Sequence, residues 1–309
     1  MSAELLSGVF APVLTPFNSD LSIDKPAHLR FCRWLLANNA GLAIFGTNSE
    51  ANSLSVAERL ELLDTLVAAG IPGSRLMPGT GTCALPDTIA LTRAAVNAGA
   101  AAVLMLPPFY YKTVSDDGVF ASYSEVIERV GDRRLKICLY HIPKLSGVPV
   151  SLALIGRLLA RYPGTIAGLK DSSGDMANTL AIMRAFPQLR MFCGSESFLL
   201  ETMRNGGAGC ISACANVNPA AIDRLYQEWR TPEAEARQSA INSIRGIFES
   251  QPMIAALRAA AARHGRYPGF SKTRPPLVSL SDAQTETLVT ALAGSGFAMP
   301  GLSGQLNQA

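Results

Sequence analysis

Short apolar runs alternate with longer amphipathic ones along most of the chain. Eight runs have the length and composition of strands: Val9–Leu14, Leu42–Phe45, Arg75–Pro78, Ala102–Leu106, Lys136–Tyr140, Ile166–Lys170, Arg190–Cys193 and Gly209–Ala213. They are mostly apolar and give way to Pro, Gly, Ser or Thr. That is the pattern of parallel strands covered on both faces. The segments between them read as helices. Ser55 and Glu58 have capping-box spacing, and Val56, Leu60, Leu63 and Val67 then fall on one helical face. Gly70 supplies a stop signal. Similar segments occupy about 86–98, 116–130, 151–161, 175–185 and 197–205.

Eight strand–helix alternations predict a (β/α)8 TIM barrel over residues 1–218. A doubly wound sheet is the alternative. It would carry a glycine-rich phosphate turn after its first strand, where this chain has Leu14-Thr15-Pro16-Phe17. Beyond residue 218 the strand signals fade. Asn218-Pro219 and Thr231-Pro232 each read as an N-cap with proline at the first helical position. Ser281 and Gln284 repeat the capping-box spacing. Residues 219–295 are therefore expected to form a helical extension of three or four helices. Residues 296–309 are expected to be a tail, mobile from Pro300 onward.

Composition narrows the function classes. The 309 residues are 48% hydrophobic and 17% charged, which suits a large core and excludes a disordered chain. A net charge of +3 gives no basis for a nucleic-acid groove or a polybasic membrane patch. Two uncharged stretches, 94–111 and 205–222, are interrupted by Asn and Pro and do not read as membrane spans. Met-Ser-Ala-Glu-Leu-Leu lacks the features of a secretory signal, so a cytoplasmic location is expected. Cys32, Cys83, Cys138, Cys193, Cys210 and Cys214 include no C-x-x-C, and Cys210 and Cys214 lack a nearby His. They read as small buried thiols.

Candidate chemistry lies at the strand ends, which form the active face of a barrel. Lys170 closes an apolar strand, where burial disfavours an ammonium and leaves an amine that attacks carbonyls. A lysine snorkelling to a carboxylate such as Asp171 is the alternative. Tyr140 ends the fifth strand, as a proton shuttle or as an ordinary half-buried tyrosine, followed by His141 and Lys144. Gly46-Thr47-Asn48-Ser49-Glu50 reads as an anion-binding loop or as a turn with a helix cap. Glu50 is either a buried structural carboxylate or a solvent-facing one. Pro107-Pro108-Phe109-Tyr110-Tyr111 is a rigid aromatic loop that lines a pocket, an interface or plain packing. Gly194-Ser195-Glu196-Ser197 is a further small-residue loop.

Together these segments resemble the dihydrodipicolinate synthase / N-acetylneuraminate lyase family, over about residues 7–295. The resemblance rests on Ala11-Pro12-Val13-Leu14-Thr15-Pro16-Phe17, the Gly46–Glu50 loop, Pro107–Tyr111, Tyr140-His141-Ile142-Pro143, Gly168-Leu169-Lys170-Asp171 and Gly209-Cys210-Ile211-Ser212. It implies a class I Schiff-base aldolase on a barrel with a C-terminal helical extension. Lys170 would form an imine with the 2-oxo group of pyruvate or a longer 2-oxo acid. Tyr140 would move protons at the aldol oxygen. Thr47 would link it to a second tyrosine, Tyr111, which in the family reaches into a neighbouring subunit's site. The substrate carboxylate would lie on the amides of Thr47 and Asn48, and Ile211 would contact substrate through its main chain. Gly194, Ser195 and Lys144 complete the expected substrate-binding set. No metal or organic cofactor is expected. A homo-oligomer is, as a tetramer built from two tight dimers with Tyr110 and Tyr111 near the tight interface.

Two departures bear on the substrate. Asn48 and Ser49 replace a hydroxyl residue and a glycine of the family's second-strand motif. Leu145 stands where dihydrodipicolinate synthases carry the arginine that binds the aldehyde's carboxylate, and Leu145 cannot pair with one. The expected reaction is cleavage of a 2-oxo-3-deoxy or 4-hydroxy-2-oxo acid to pyruvate and an aldehyde. The alternatives are a synthase-type condensation, a dehydratase, and a non-catalytic 2-oxo-acid-binding barrel.

Overall fold

Seven short parallel strands form one curled sheet: β1 (Gly8–Ala11), β2 (Gly41–Leu42), β3 (Val103–Met105), β4 (Ile137–His141), β5 (Ile166–Asp171), β6 (Arg190–Cys193) and β7 (Gly209–Ile211). Their order is β2-β1-β7-β6-β5-β4-β3. The computed structural model describes residues 6–307. Residues 1–5, most of the Met-Ser-Ala-Glu-Leu-Leu segment that bears on a secretory signal, and 308–309 of the expected tail lie outside it. Helices cover the sheet: α1 (Lys25–Ala37), α2 (Val56–Ala68), α3 (Leu85–Asn97), α4 (Asp116–Val130), α5 (Pro143–Ser146), α6 (Leu152–Arg161), α7 (Met176–Ala185) and α8 (Leu199–Arg204). Among the described residues no helix is long and apolar enough to cross a membrane.

The expected strand at Arg75–Pro78 is replaced by an irregular segment. Gly73–Arg75 turn as a 3-10 helix, and the chain then passes between β2 and β3. Met77 N donates to Leu42 O at 2.9 Å and Gly79 N to Ile44 O at 2.7 Å. On the other side Leu104 N donates to Pro78 O at 2.8 Å and Thr80 N to Leu104 O at 3.1 Å. Pro78 has no N–H for a ladder, which keeps the pairing to isolated bridges. Gly79 is required here, because a Cβ would sit 2.1 Å from Phe45 O.

Strand alternation sorts the core into layers. Val103, Met105, Ile137, Leu139, Leu169 and Met191 face helices. The opposite parity gives a second cluster inside the curl, including Phe10, Leu104, Cys138, Tyr140, Phe192 and Ile211. Five cysteines are buried and Cys83 is exposed.

Four helices follow β7 before residue 295: α9 (Pro219–Glu228), α10 (Ala234–Glu249), α11 (Met253–Gly265) and α12 (Asp282–Gly294). Both capping boxes form, at Ser55–Glu58 and at Ser281–Gln284. The Thr231-Pro232 cap does not. These residues belong to a turn in which Ala234 N donates to Thr231 O at 3.2 Å, and α10 starts only at Ala234. The expectation of a structureless segment after Pro300 is also corrected. α13 (Leu302–Leu306) is helical, with Leu302 and Leu306 buried. Trp34 Nε1 donates to Pro300 O at 2.9 Å and Asn307 Nδ2 to Gly265 O at 2.9 Å, which fix both ends.

Candidate active site

Register places three side chains in one row across the inner face, Tyr140 beside Lys170 beside Phe192. Lys170 is 4% exposed, and its Nζ lies 4.2 Å from the centre of the Tyr140 ring. The snorkelling alternative fails because Asp171 points elsewhere. Its carboxylate accepts from Ser173 N at 2.8 Å, Asn178 Nδ2 at 2.9 Å and Thr179 Oγ1 at 2.8 Å. Lys170 enters no ion pair among the described residues. A buried amine that faces a cavity and is paired to no carboxylate among the described residues is positioned for chemistry with a ligand.

The Gly46–Glu50 loop supplies the facing groups. Thr47 Oγ1 and Tyr140 Oη are 3.1 Å apart. Gly46 N donates to Ser49 Oγ at 3.1 Å, and Thr15 Oγ1 donates to Ser49 O at 2.8 Å. The serine hydroxyl thus secures the turn at a position whose φ is not positive, so no glycine is needed there. Glu50 takes the left-handed conformation instead, with φ of 57°. It is buried beside Arg258, at 2.8 Å, and accepts from Arg274 N at 3.0 Å. Burial pushes the Glu50 carboxyl up, opposed by Arg258, and burial pulls Arg258 down to about 10. Glu50 is therefore the buried structural carboxylate of the two alternatives. The amides of Thr47 and Asn48 donate to no acceptor among the described residues. Asn48 Nδ2 is buried without a partner among the described residues. Such a buried donor is rare in native interiors and marks a place for an acceptor from outside.

A cavity of about 880 Å³ opens over this row. Thr47, Asn48, Tyr140, Lys170, Lys144, Gly194 and Ser195 all line it. Gly194 N is already bonded to Asp171 O at 2.7 Å, and a Cβ there would sit 2.0 Å from Ser172 Oγ. Ser195 Oγ accepts from Ser197 N at 3.2 Å. Two expected residues are not brought in. Ile211 packs in the inner cluster with Tyr140 and does not line the cavity. Tyr111 is 71% exposed and stacks edge-on against Tyr110. His141 is structural: its Nδ1 accepts from Val150 N at 3.0 Å, and burial lowers its pKa against the pull of Asp171.

Sequence reasoning missed the far wall. Arg245, Glu249, Met253, Ile254, Leu277 and Val278 line it. Arg245 pairs with the buried Glu196 at 2.7 Å and with Glu249 at 2.8 Å, and Ser212 Oγ donates to Glu196. Arg274 holds the 273–278 segment by pairing with Glu58 at 2.5 Å and donating to Leu21 O. The sequence places these residues in the helical extension and gives no sign that they reach the cavity.

Comparison with known proteins agrees with this geometry. The model of the dihydrodipicolinate synthetase family matches residues 5–294. An uncharacterized DapA-like lyase of Chloroflexus aurantiacus is 36% identical, over 92% of this chain and 95% of its own. The structure of dihydrodipicolinate synthase from Agrobacterium tumefaciens superposes with a TM-score of 0.86 at 31% identity, covering 93% of this chain and 98% of that one. YagE, a family member from Escherichia coli solved in complex with pyruvate, also gives 0.86, at 25% identity, over 96% and 100% of the two chains.

Proposed function

The chain belongs to the dihydrodipicolinate synthetase family, and from that premise we propose a Schiff-base-forming carbon–carbon lyase that cleaves a 4-hydroxy-2-oxo or 2-oxo-3-deoxy acid to pyruvate and an aldehyde. One observation carries this reading. A buried Lys170, unpaired among the described residues, lies against Tyr140, whose hydroxyl meets Thr47 beside two backbone amides that donate to none of those residues.

The substrate carboxylate lies on the Thr47 and Asn48 amides, with Asn48 Nδ2 as a third donor. The Lys170 amine attacks C2, Tyr140 gives its phenol proton to the C2 oxygen, and water leaves, giving an iminium. Tyr140, left as the phenolate by that step, takes the proton of the C4 hydroxyl. The C3–C4 bond breaks, the C4–O bond becomes the aldehyde carbonyl, and the C3–C4 electron pair moves to the iminium as an enamine. After the aldehyde departs, C3 is protonated and water hydrolyses the imine, returning pyruvate and the amine. Thr47 relays the proton to and from Tyr140. Tyr111 is read as serving a partner subunit, which suits its exposure. A second cavity of about 420 Å³ beside Thr47 and Tyr140 gives a partner's tyrosine room. On this reading the protein is a homo-oligomer, a dimer of dimers.

The same reading takes residues 1–218 as a (β/α)8 barrel, with segment 76–80 as its eighth stave, and residues 219–295 as the helical subdomain, followed by a short docked tail. Pyruvate release from 4-hydroxy-2-oxo acids tests the reaction, run beside condensation of pyruvate with aspartate semialdehyde. Stoichiometric pyruvate and aldehyde are expected. Faster condensation, with no cleavage, would replace the lyase by the synthase.

A further inference from the structure

Leu145 is 65% exposed and Val278 is 75% exposed, yet both line the cavity over Lys170. Apolar side chains left open in a catalytic cavity await an apolar group. Their position relative to Tyr140 says which group. Thr47 and Tyr140 line both the 880 Å³ cavity and the 420 Å³ one beside it. The other residues common to both are Leu145, Ile254, Pro276 and Leu277. On the aldolase reading, on which this inference rests, the Tyr140 hydroxyl meets the oxygen on C4. The substituent that C4 carries therefore passes these four side chains.

Several polar atoms on that side are bonded within the protein. Thr273 Oγ1 donates to Leu277 O at 3.1 Å, and Gln251 Oε1 accepts from Gln284 Nε2 at 3.3 Å. Arg245 is held by Glu196 and Glu249. A chain of hydroxyl groups would compete with these bonds and leave the open apolar side chains uncovered. An alkyl or aryl group would bury the open apolar surface instead. We propose that the acid cleaved carries an alkyl or aryl substituent on C4, packed against Leu145, Ile254, Pro276 and Leu277, with Val278 closing over it. The product aldehyde is then apolar. Lys144, exposed and in no ion pair among the described residues, makes a carboxylate-bearing acid the competing occupant.

The test compares kcat/KM for cleavage of 4-hydroxy-4-phenyl-2-oxobutanoate, 4-hydroxy-2-oxoheptanoate, 2-oxo-3-deoxygluconate and 4-hydroxy-2-oxoglutarate. Borohydride trapping of pyruvate on Lys170 is run on the same preparation. The phenyl and propyl acids are expected to lead by at least about tenfold. The Leu145→Asn variant, altered at an exposed side chain, is expected to lower that lead about fivefold. An adduct on Lys170 without the lead overturns this inference and leaves the aldolase reading standing. So does a lead unchanged by Leu145→Asn. No adduct and no cleavage of any acid overturns both.

Discussion

The sheet side of the cavity and its helical side treat polar atoms in opposite ways. On the sheet side, among the described residues, the Thr47 and Asn48 amides and Asn48 Nδ2 have no partner, and Lys170 is paired to no carboxylate. On the helical side Arg245, Gln251 and Thr273 are bonded within the protein, while Leu145 on the facing loop and Val278 lie open. Unpartnered polar groups are costly in a folded chain, and exposed apolar groups are too. Each cost persists where a ligand removes it. The contrast therefore divides the cavity into a part that performs the reaction and a part that selects the substrate.

The sharpest way to break this division is to remove the amine. Lys170→Ala is expected to reduce turnover to background while circular dichroism and melting remain those of a folded protein. Turnover surviving in that variant would take the chemistry away from the sheet side. Tyr140→Phe should still form the imine but cleave about 10²–10⁴-fold more slowly, read by single-turnover aldehyde release. Equal rates would remove the Tyr140 hydroxyl from the mechanism. Asn48→Ala deletes one donor and should raise KM for the 2-oxo acid about five- to tenfold with little change in kcat. A change in kcat alone would mean that Asn48 acts on the transition state and not on carboxylate binding.

The smallest effect concerns the helical side. The Arg274 guanidinium beside Glu58 holds that carboxyl down to about 2, with help from the Ser55 amide. A depressed carboxyl stabilises the fold above its ordinary value near 4.5, and this contribution fades as pH falls towards 2. The pair is partly exposed, so its worth is about 1 kcal/mol or less. Wild type should therefore melt above Glu58→Gln at pH 7, and the gap should close between pH 4.5 and 2. A gap that widens on acidification would contradict the pairing.

The division also describes what the chain revealed before it was folded. Strand positions follow from apolar runs, and Lys170 and Tyr140 stand out because they end such runs. Capping boxes at Ser55 and Ser281 are local and form as read. The misses are non-local or too short. Segment 76–80 bonds on both sides without a regular strand, because Pro78 lacks a donor. α13 shows only Leu302 and Leu306 one turn apart, too little for a periodic signal, and it is held by Trp34 and Gly265 far away in sequence. The helical wall begins at Arg245, 75 residues beyond Lys170 in the chain, so no spacing shows it. Ser49 replaces a glycine without harm because its own hydroxyl ties the turn, a bond visible only in three dimensions.

The most direct measurement is to incubate the protein with pyruvate and sodium borohydride and to map the modified lysine by mass spectrometry. A reduced pyruvyl group on Lys170, absent without pyruvate, is the predicted result. Folded protein with no adduct at Lys170, or with the adduct on another lysine, would contradict the account.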